Sequence, residues 1–81
     1  MASNSKPAHE VRVGPIRAAV WMNKNEEGRH WFNVTITRLY KDESGQWKDS
    51  TSFRRDDLLL VAKVADLAFN WILAAADGAE E

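Results

Sequence analysis

The side chains that could carry acid–base or metal chemistry in this chain are a small set of carboxylates and two imidazoles. The candidates are Asp42, Glu43, Asp49, Asp56, Asp57, His9 and His30. The sequence contains neither a nucleophile paired with a base nor a glycine-rich phosphate-binding motif. Two histidines far apart make a weak zinc site, and the lack of cysteine excludes thiolate ligands. We therefore predict no catalytic residue, no metal and no cofactor, and hence a protein that is not an enzyme.

The stretch 54-RRDD-57 is a second place where charge could do chemistry. Asp56 and Asp57 directly precede a long apolar run, and negative side chains suit the positive N-terminal end of a helix. That structural role argues against a catalytic carboxylate pair. Arg54 and Arg55 close the preceding strand. Because they are adjacent, one can reach an open sheet face while the other pairs with a nearby carboxylate.

The distribution of charge is more informative than its total. The 81 residues carry a net charge of −1. Residues 1–55 hold ten Lys or Arg and six Asp or Glu, a balance of +4, whereas residues 56–81 hold one Lys and six acids, a balance of −5. Such asymmetry indicates a basic surface for a partner on one side of the molecule. With neither a signal peptide nor an uninterrupted apolar run of about 18 residues, we expect a cytoplasmic protein that does not contact a membrane.

Hydrophobic periodicity predicts four strands followed by one helix, an α+β domain of order β-β-β-β-α. The strand segments alternate and are rich in β-branched and aromatic residues, whereas the last long segment changes to a helical period. The connections are too short for parallel crossovers, so the sheet is an antiparallel meander. The predicted elements are strands 10–13, 16–24, 31–40 and 46–53 and a helix from 56 to about 75, between an N-terminal disordered arm, 1–9, and an acidic tail, 76–81.

Alternation divides the two long strands into an apolar face and a polar-aromatic face. The apolar face, which we expect the helix to cover, holds Ile16, Ala18, Val20, Met22, Phe32, Val34 and Ile36. The opposite face holds Arg17, Trp21, Trp31, Asn33, Thr35 and Thr37. Exposed rings can stack bases and cations can follow phosphates, so this face fits a single-stranded nucleic acid. The alternative interpretation is that the charged residues of this face are simply solvated and that its rings pack in a dimer interface.

The predicted helix has more apolar surface than one face of the sheet can cover. Lys63, Asp66 and Asn70 form its one polar stripe, whereas a surface helix of a small domain needs an apolar arc of only about 100°. We expect a second copy of the chain to cover the remainder, giving a homodimer through the helix. The alternative is a helix buried on both sides by the curved sheet of its own chain.

The chain also resembles a known family over about Val11 to Ile72. The features are 13-VGPIR-17, the strand and turn 34-VTITRLYKDESGQW-47, and the strand-to-helix joint at Phe53–Asp57. They are similar to the single-stranded-DNA-binding domain of the positive cofactor four family of transcriptional coactivators, which is related in architecture to the Whirly proteins. The resemblance implies a homodimer that binds single-stranded DNA across its sheets with little sequence preference.

By the same resemblance, Tyr40 falls at a base-stacking aromatic position and Arg17 at a basic position that opens the first long strand. The chain departs from the family in three places. The loop 23–30 is longer, the lysine-rich stretch near the fourth strand is reduced to Lys48, and the basic region before the domain is reduced to Lys6. Fewer cations imply weaker binding, because phosphate neutralisation supplies most non-specific affinity.

We predict a dimeric protein that binds single-stranded DNA or RNA with low sequence specificity, as a cofactor in transcription or DNA maintenance. Arg17, Lys48 and Arg54 would pair with phosphates. Trp21, Trp31 and Tyr40 would stack bases, and Asn33, Thr35 and Thr37 would form hydrogen bonds. The rival is a protein–protein interaction module that uses the apolar helix and the exposed tryptophans. A double-stranded-RNA domain does not fit, because that fold begins with a helix.

Overall fold

A computed structural model describes residues 6–80, with side chains through residue 75. The chain forms one antiparallel sheet of four strands in sequential order, followed by one helix. This confirms the predicted β-β-β-β-α architecture. The elements are β1 (His9–Val13), β2 (Ile16–Lys24), β3 (His30–Lys41), β4 (Trp47–Ser50), a single 3-10 turn (Arg55–Asp57) and α1 (Leu58–Glu80).

Several ends of the elements differ from the predictions by one or two residues, and the differences are larger at the ends of β4 and α1. Strand β4 stops at Ser50 because the Ser50 hydroxyl accepts the N–H of Ser52, a local bond that replaces sheet pairing. The backbone of α1 continues to Glu80 instead of ending near Ala75. Of the predicted arm, residues 1–5 lie outside the described residues. Sheet-like pairing begins just before β1, where the N–H of Ala8 donates to the carbonyl of Val20.

Tight turns set the register of the sheet. Gly14 and Pro15 join β1 to β2, and Gly14 takes a φ of 60°, a conformation that costs glycine little and other residues more. In the turn between β3 and β4, the N–H of Asp42 donates to the carbonyl of Gln46, which brings Lys41 opposite Trp47. The pairing registers then decide which residues share a face.

The core lies between β2 and α1. Ile16, Ala18 and Val20 from β2 and Val64 and Ala68 from α1 are all buried. This confirms that Ile16, Ala18 and Val20 lie under the helix, whereas Met22 and Val34, expected on the same covered face, are 41% and 37% exposed. The helix rests mainly on β1 and β2 and contacts β3 less.

One ring anchors the middle of α1 on the sheet. Trp71 stacks on His9 of β1 at 4.7 Å between ring centroids and meets the edge of Phe32 of β3 at 5.8 Å. The Trp71 ring therefore contacts both strands that flank β2, on the face of the sheet that the helix covers.

The two aspartates ahead of α1 have different surroundings. Asp57 is buried: its carboxylate accepts the N–H of Arg54 at 2.9 Å and lies 3.5 Å from the guanidinium of Arg38. Asp56 is exposed and pairs only with its exposed neighbour Arg55, at 3.4 Å. Of the two aspartates, Asp57 therefore has the structural role predicted at the helix N-terminus. Its contact with Arg38 also links that end of the helix to β3.

The outer side of α1 leaves large apolar side chains in solvent. Leu58, Leu59, Phe69 and Leu73 are 54, 83, 58 and 46% exposed. By length and composition, the 21-residue segment Arg55–Ala75 could cross a membrane, because it contains an 18-residue window with a mean hydropathy of 1.8. Lys63 and Asp66 interrupt it, however, and each charge near a span centre costs about 3 kcal/mol. The buried side of the helix packs on the sheet through Val64 and Ala68.

Candidate nucleic-acid interface

The candidate interface is the sheet face opposite α1, called here the open face. Directly paired residues of antiparallel strands project to the same side, so the registers identify its members. Six predicted site residues lie on it, in β2 and β3: Arg17, Trp21, Trp31, Asn33, Thr35 and Thr37. The pairs Arg17–Thr37 and Trp21–Asn33 bring residues of the two strands side by side.

Two other predicted site residues lie on the opposite side of the sheet. Tyr40 follows the parity of Ile36 and pairs with Lys48, so both project toward the helix-bearing face. The Arg38 guanidinium lies over the Tyr40 ring at 5.6 Å from its centroid. The ammonium of Lys48 lies 3.4 Å from the Asp42 carboxylate. Placing Tyr40 and Lys48 on the open face was therefore wrong.

Arg54, the ninth predicted residue, is exposed but lies after β4, beside the 3-10 turn. Strand alternation does not assign it to a face. Its backbone N–H donates to the carboxylate of Asp57 at the N-terminal end of the helix.

The structure adds Lys41 and Trp47 to the open face. They pair directly at the end of β3 and the start of β4, and the Lys41 ammonium lies 5.3 Å from the centroid of the Trp47 ring. Trp47 is 64% exposed, more than Trp31 at 46%. Alternation continued from Thr37 through Leu39 would have found Lys41, and a two-strand register would then have found Trp47.

Trp21 and Trp31 are presented differently although they lie on neighbouring strands. The indole N–H of Trp21 donates to the Thr35 hydroxyl at 3.1 Å, which draws its ring along the sheet, and the adjacent Ala19 is buried. Trp31 pairs with Asn23 near the end of the hairpin and keeps about half its surface in solvent. Trp21 is therefore held by the protein, while Trp31 is the more accessible platform.

The charges of the open face are mixed but lean positive. By register, Arg12, Arg17 and Lys41 are its cations, and Glu10 and Asp49 its carboxylates. The Arg17 guanidinium lies 3.4 Å from the Asp49 carboxylate, across β3, and both are partly exposed. A phosphate approaching Arg17 would therefore compete with Asp49.

The carboxylate with a perturbed pKa lies in the turn between β3 and β4. Hydrogen bonds from the Ser44 hydroxyl and the Gln46 N–H, with smaller contributions from Lys48 and the Ser44 N–H, hold the pKa of Asp42 below its ordinary value. These bonds fix the turn that sets the β3–β4 register. Among the residues that the structure describes, no group of three His, Cys, Asp or Glu could hold a metal ion.

Comparisons with known proteins add no assignment. No protein-family model matches the chain, and neither a curated protein nor a solved structure matches it significantly. The resemblance to positive cofactor four therefore stays a prediction.

Proposed function

We propose that this protein binds single-stranded nucleic acid on the open face, with low sequence specificity. The observation that carries the proposal is the presence of three tryptophans, Trp21, Trp31 and Trp47, on one face together with three cations. Rings and cations on one surface serve the two repeating parts of a nucleic acid strand, its bases and its phosphates.

The ring geometry favours unpaired bases over a duplex. A base can stack on Trp31 or Trp47 only if its own face is available, and bases inside a duplex are already stacked on their neighbours. Each such stack contributes about 1–3 kcal/mol and suits every base, which accounts for low sequence preference. The proposal covers single-stranded DNA and RNA alike, because base stacking and phosphate contacts do not require a 2′-hydroxyl.

We further propose that the binding unit is a cytoplasmic homodimer that joins through α1. The exposed apolar side chains Leu58, Phe69 and Leu73 recur at helical spacing on one side of the helix. Met22 and Val34, on the helix-bearing face of the sheet, are also exposed. Apolar surface of this kind marks an interaction site, and a second copy is the partner always present.

The same apolar side of α1 supports a second candidate function, a protein–protein interaction module. In that case the exposed rings of the open face would serve a protein partner. Salt distinguishes the two candidates, since binding to phosphates weakens steeply as salt rises and burial of apolar surface does not.

The test of the proposed function is a titration of a labelled 20-nucleotide oligo-dT with wild type and Trp31→Ala, read by fluorescence anisotropy at 50 mM salt. Loss of one stacked base should weaken binding by about 1–3 kcal/mol, roughly 5- to 150-fold. The thermal melt should change little, because Trp31 is 46% exposed. Asn70→Ala, which truncates an exposed side chain of the polar stripe of α1 without changing charge, is the control and should bind as wild type. If Trp31→Ala binds normally, or if its melt collapses, the open face has been misassigned.

A further inference from the structure

The most exposed rings of the open face stand at its two ends. Trp31 is the second residue of β3, and Trp47 pairs with Lys41, the last residue of β3. Ten residue steps separate positions 31 and 41, and at about 3.4 Å per step the two ends lie about 34 Å apart. The structure therefore has two ring platforms that no single base or dinucleotide can touch together.

The end at β4 is built as a subsite of its own. Its ring is 64% exposed, and the Lys41 ammonium lies 5.3 Å from the ring centroid. The ammonium lies over one face of the ring, so a base that stacks on the other face has a cation close to its phosphate.

The surface between the two ends is polar and contains no third exposed ring. Thr35, Thr37 and the ion-paired Arg17 and Asp49 occupy it, and Trp21 is hydrogen-bonded to Thr35. This middle section offers a cation and hydroxyl groups to a backbone passing over it. It does not offer an accessible stacking platform.

We propose that the open face is a bipartite site, with one base-stacking subsite at Trp31 and a second at Trp47 and Lys41, joined by a single strand that runs along β3. This inference rests on the proposed nucleic-acid function and adds the length of single strand that the site binds. At a stacked rise of about 3.4 Å per nucleotide, roughly ten nucleotides span the two subsites, and fewer suffice if the strand is stretched. Linking two weak sites in this way raises affinity by about 100-fold or more.

The test compares a three-nucleotide and a twelve-nucleotide oligo-dT by intrinsic tryptophan fluorescence and calorimetry. Wild type should bind two trinucleotides per protomer but one dodecamer, and the dodecamer about 100-fold more tightly. In Trp47→Ala, trinucleotide stoichiometry should fall to one, and dodecamer affinity should fall at least tenfold. The matched control is Lys48→Ala, next to Trp47 in β4 but on the other face, which should leave both properties unchanged.

Three outcomes overturn the inference. If Trp47→Ala binds both oligonucleotides as wild type does, while Trp31→Ala weakens them, the site has one end and the proposed function survives. If Lys48→Ala reproduces the effect of Trp47→Ala, the loss does not come from the open face. If wild type binds no single strand, the proposed function falls together with the bipartite site. A melt of each variant confirms that it is folded.

Discussion

Replacing Asp49 with asparagine should strengthen the binding of single strands. Asp49 holds the Arg17 guanidinium at 3.4 Å, so part of the positive charge of the open face is neutralised within the protein. Removing the carboxylate makes Arg17 available for one further phosphate contact. Asp49→Asn should fold normally, because a partly exposed ion pair contributes at most about 1 kcal/mol and solvent screening reduces that further.

The size of the gain follows from counterion release. Each phosphate contact to a single strand changes the salt slope of log K by about −0.7. Measured against 1 M salt, one added contact raises affinity about 8-fold at 50 mM and about 3-fold at 200 mM. The assay is anisotropy of labelled oligo-dT at several salt concentrations. Asp66→Asn, on the outer side of α1, makes the same charge change away from the open face and is the control. Equal affinities for the two variants, or weaker binding by Asp49→Asn, would refute the reasoning.

Three further predictions concern the fold and the oligomer. Asp57→Ala removes a helix cap and a largely buried ion pair, so it should lower the free energy of unfolding by about 2 kcal/mol and the Tm by roughly 8–16 °C. The control Asp56→Ala should lower the free energy of unfolding by less than about 0.5 kcal/mol. Chemical and thermal melts measure both variants. Because the pKa of Asp42 is lowered in the fold, its stabilisation is complete above the ordinary value of about 3.9 and is lost as pH falls through the lowered pKa. The melts of wild type and Asp42→Asn should therefore differ near neutral pH and converge as the pH falls through the lowered pKa of Asp42, and a difference that stays constant in acid would contradict this. Phe69→Glu places a charge in the exposed apolar side of α1 and should convert the dimer to a folded monomer, with the mass measured by light scattering. Asn70→Glu, the control, should stay dimeric. A wild-type protein that is already monomeric would contradict the proposed dimer.

Alternation along β2 and β3 was enough to predict both the core and most of the open face. Ile16, Ala18 and Val20 are buried under the helix, and Arg17 and Trp21 lie on the other side, as a period of two requires. These strands could be assigned because each is long and carries large apolar side chains at alternate positions, whereas Ala18 and Ala19 alone fit either face of β2.

The errors arose where alternation was not followed to the end of β3. Tyr40 was assigned by resemblance, yet it shares its parity with Phe32 and Ile36, so it belongs to the helix-bearing face. Lys41 also follows from alternation continued to the end of β3, whereas the position of Trp47 depends on the register across the turn, which the hydrogen bonds of Asp42 set.

Contacts between distant parts of the chain could not be predicted from periodicity. The approach of Arg38 to Asp57 and the stacking of His9 on Trp71 depend on how α1 crosses the sheet. A single helix on a four-stranded sheet can be placed at several angles that bury the same apolar residues. The pairing of Arg17 with Asp49 similarly required the order of three strands to be known.

The measurement that tests the central claim most directly is the affinity of the wild-type protein for single-stranded and duplex oligonucleotides of equal length as salt is varied. Because Arg17 is paired with Asp49 in the wild type, the two other cations of the open face, Arg12 and Lys41, predict a slope of log K against log salt of about −1.4 for the single strand. The account predicts that slope together with clearly weaker binding of the duplex. Undetectable binding of the single strand at 50 mM salt, or binding that salt does not weaken, would contradict it.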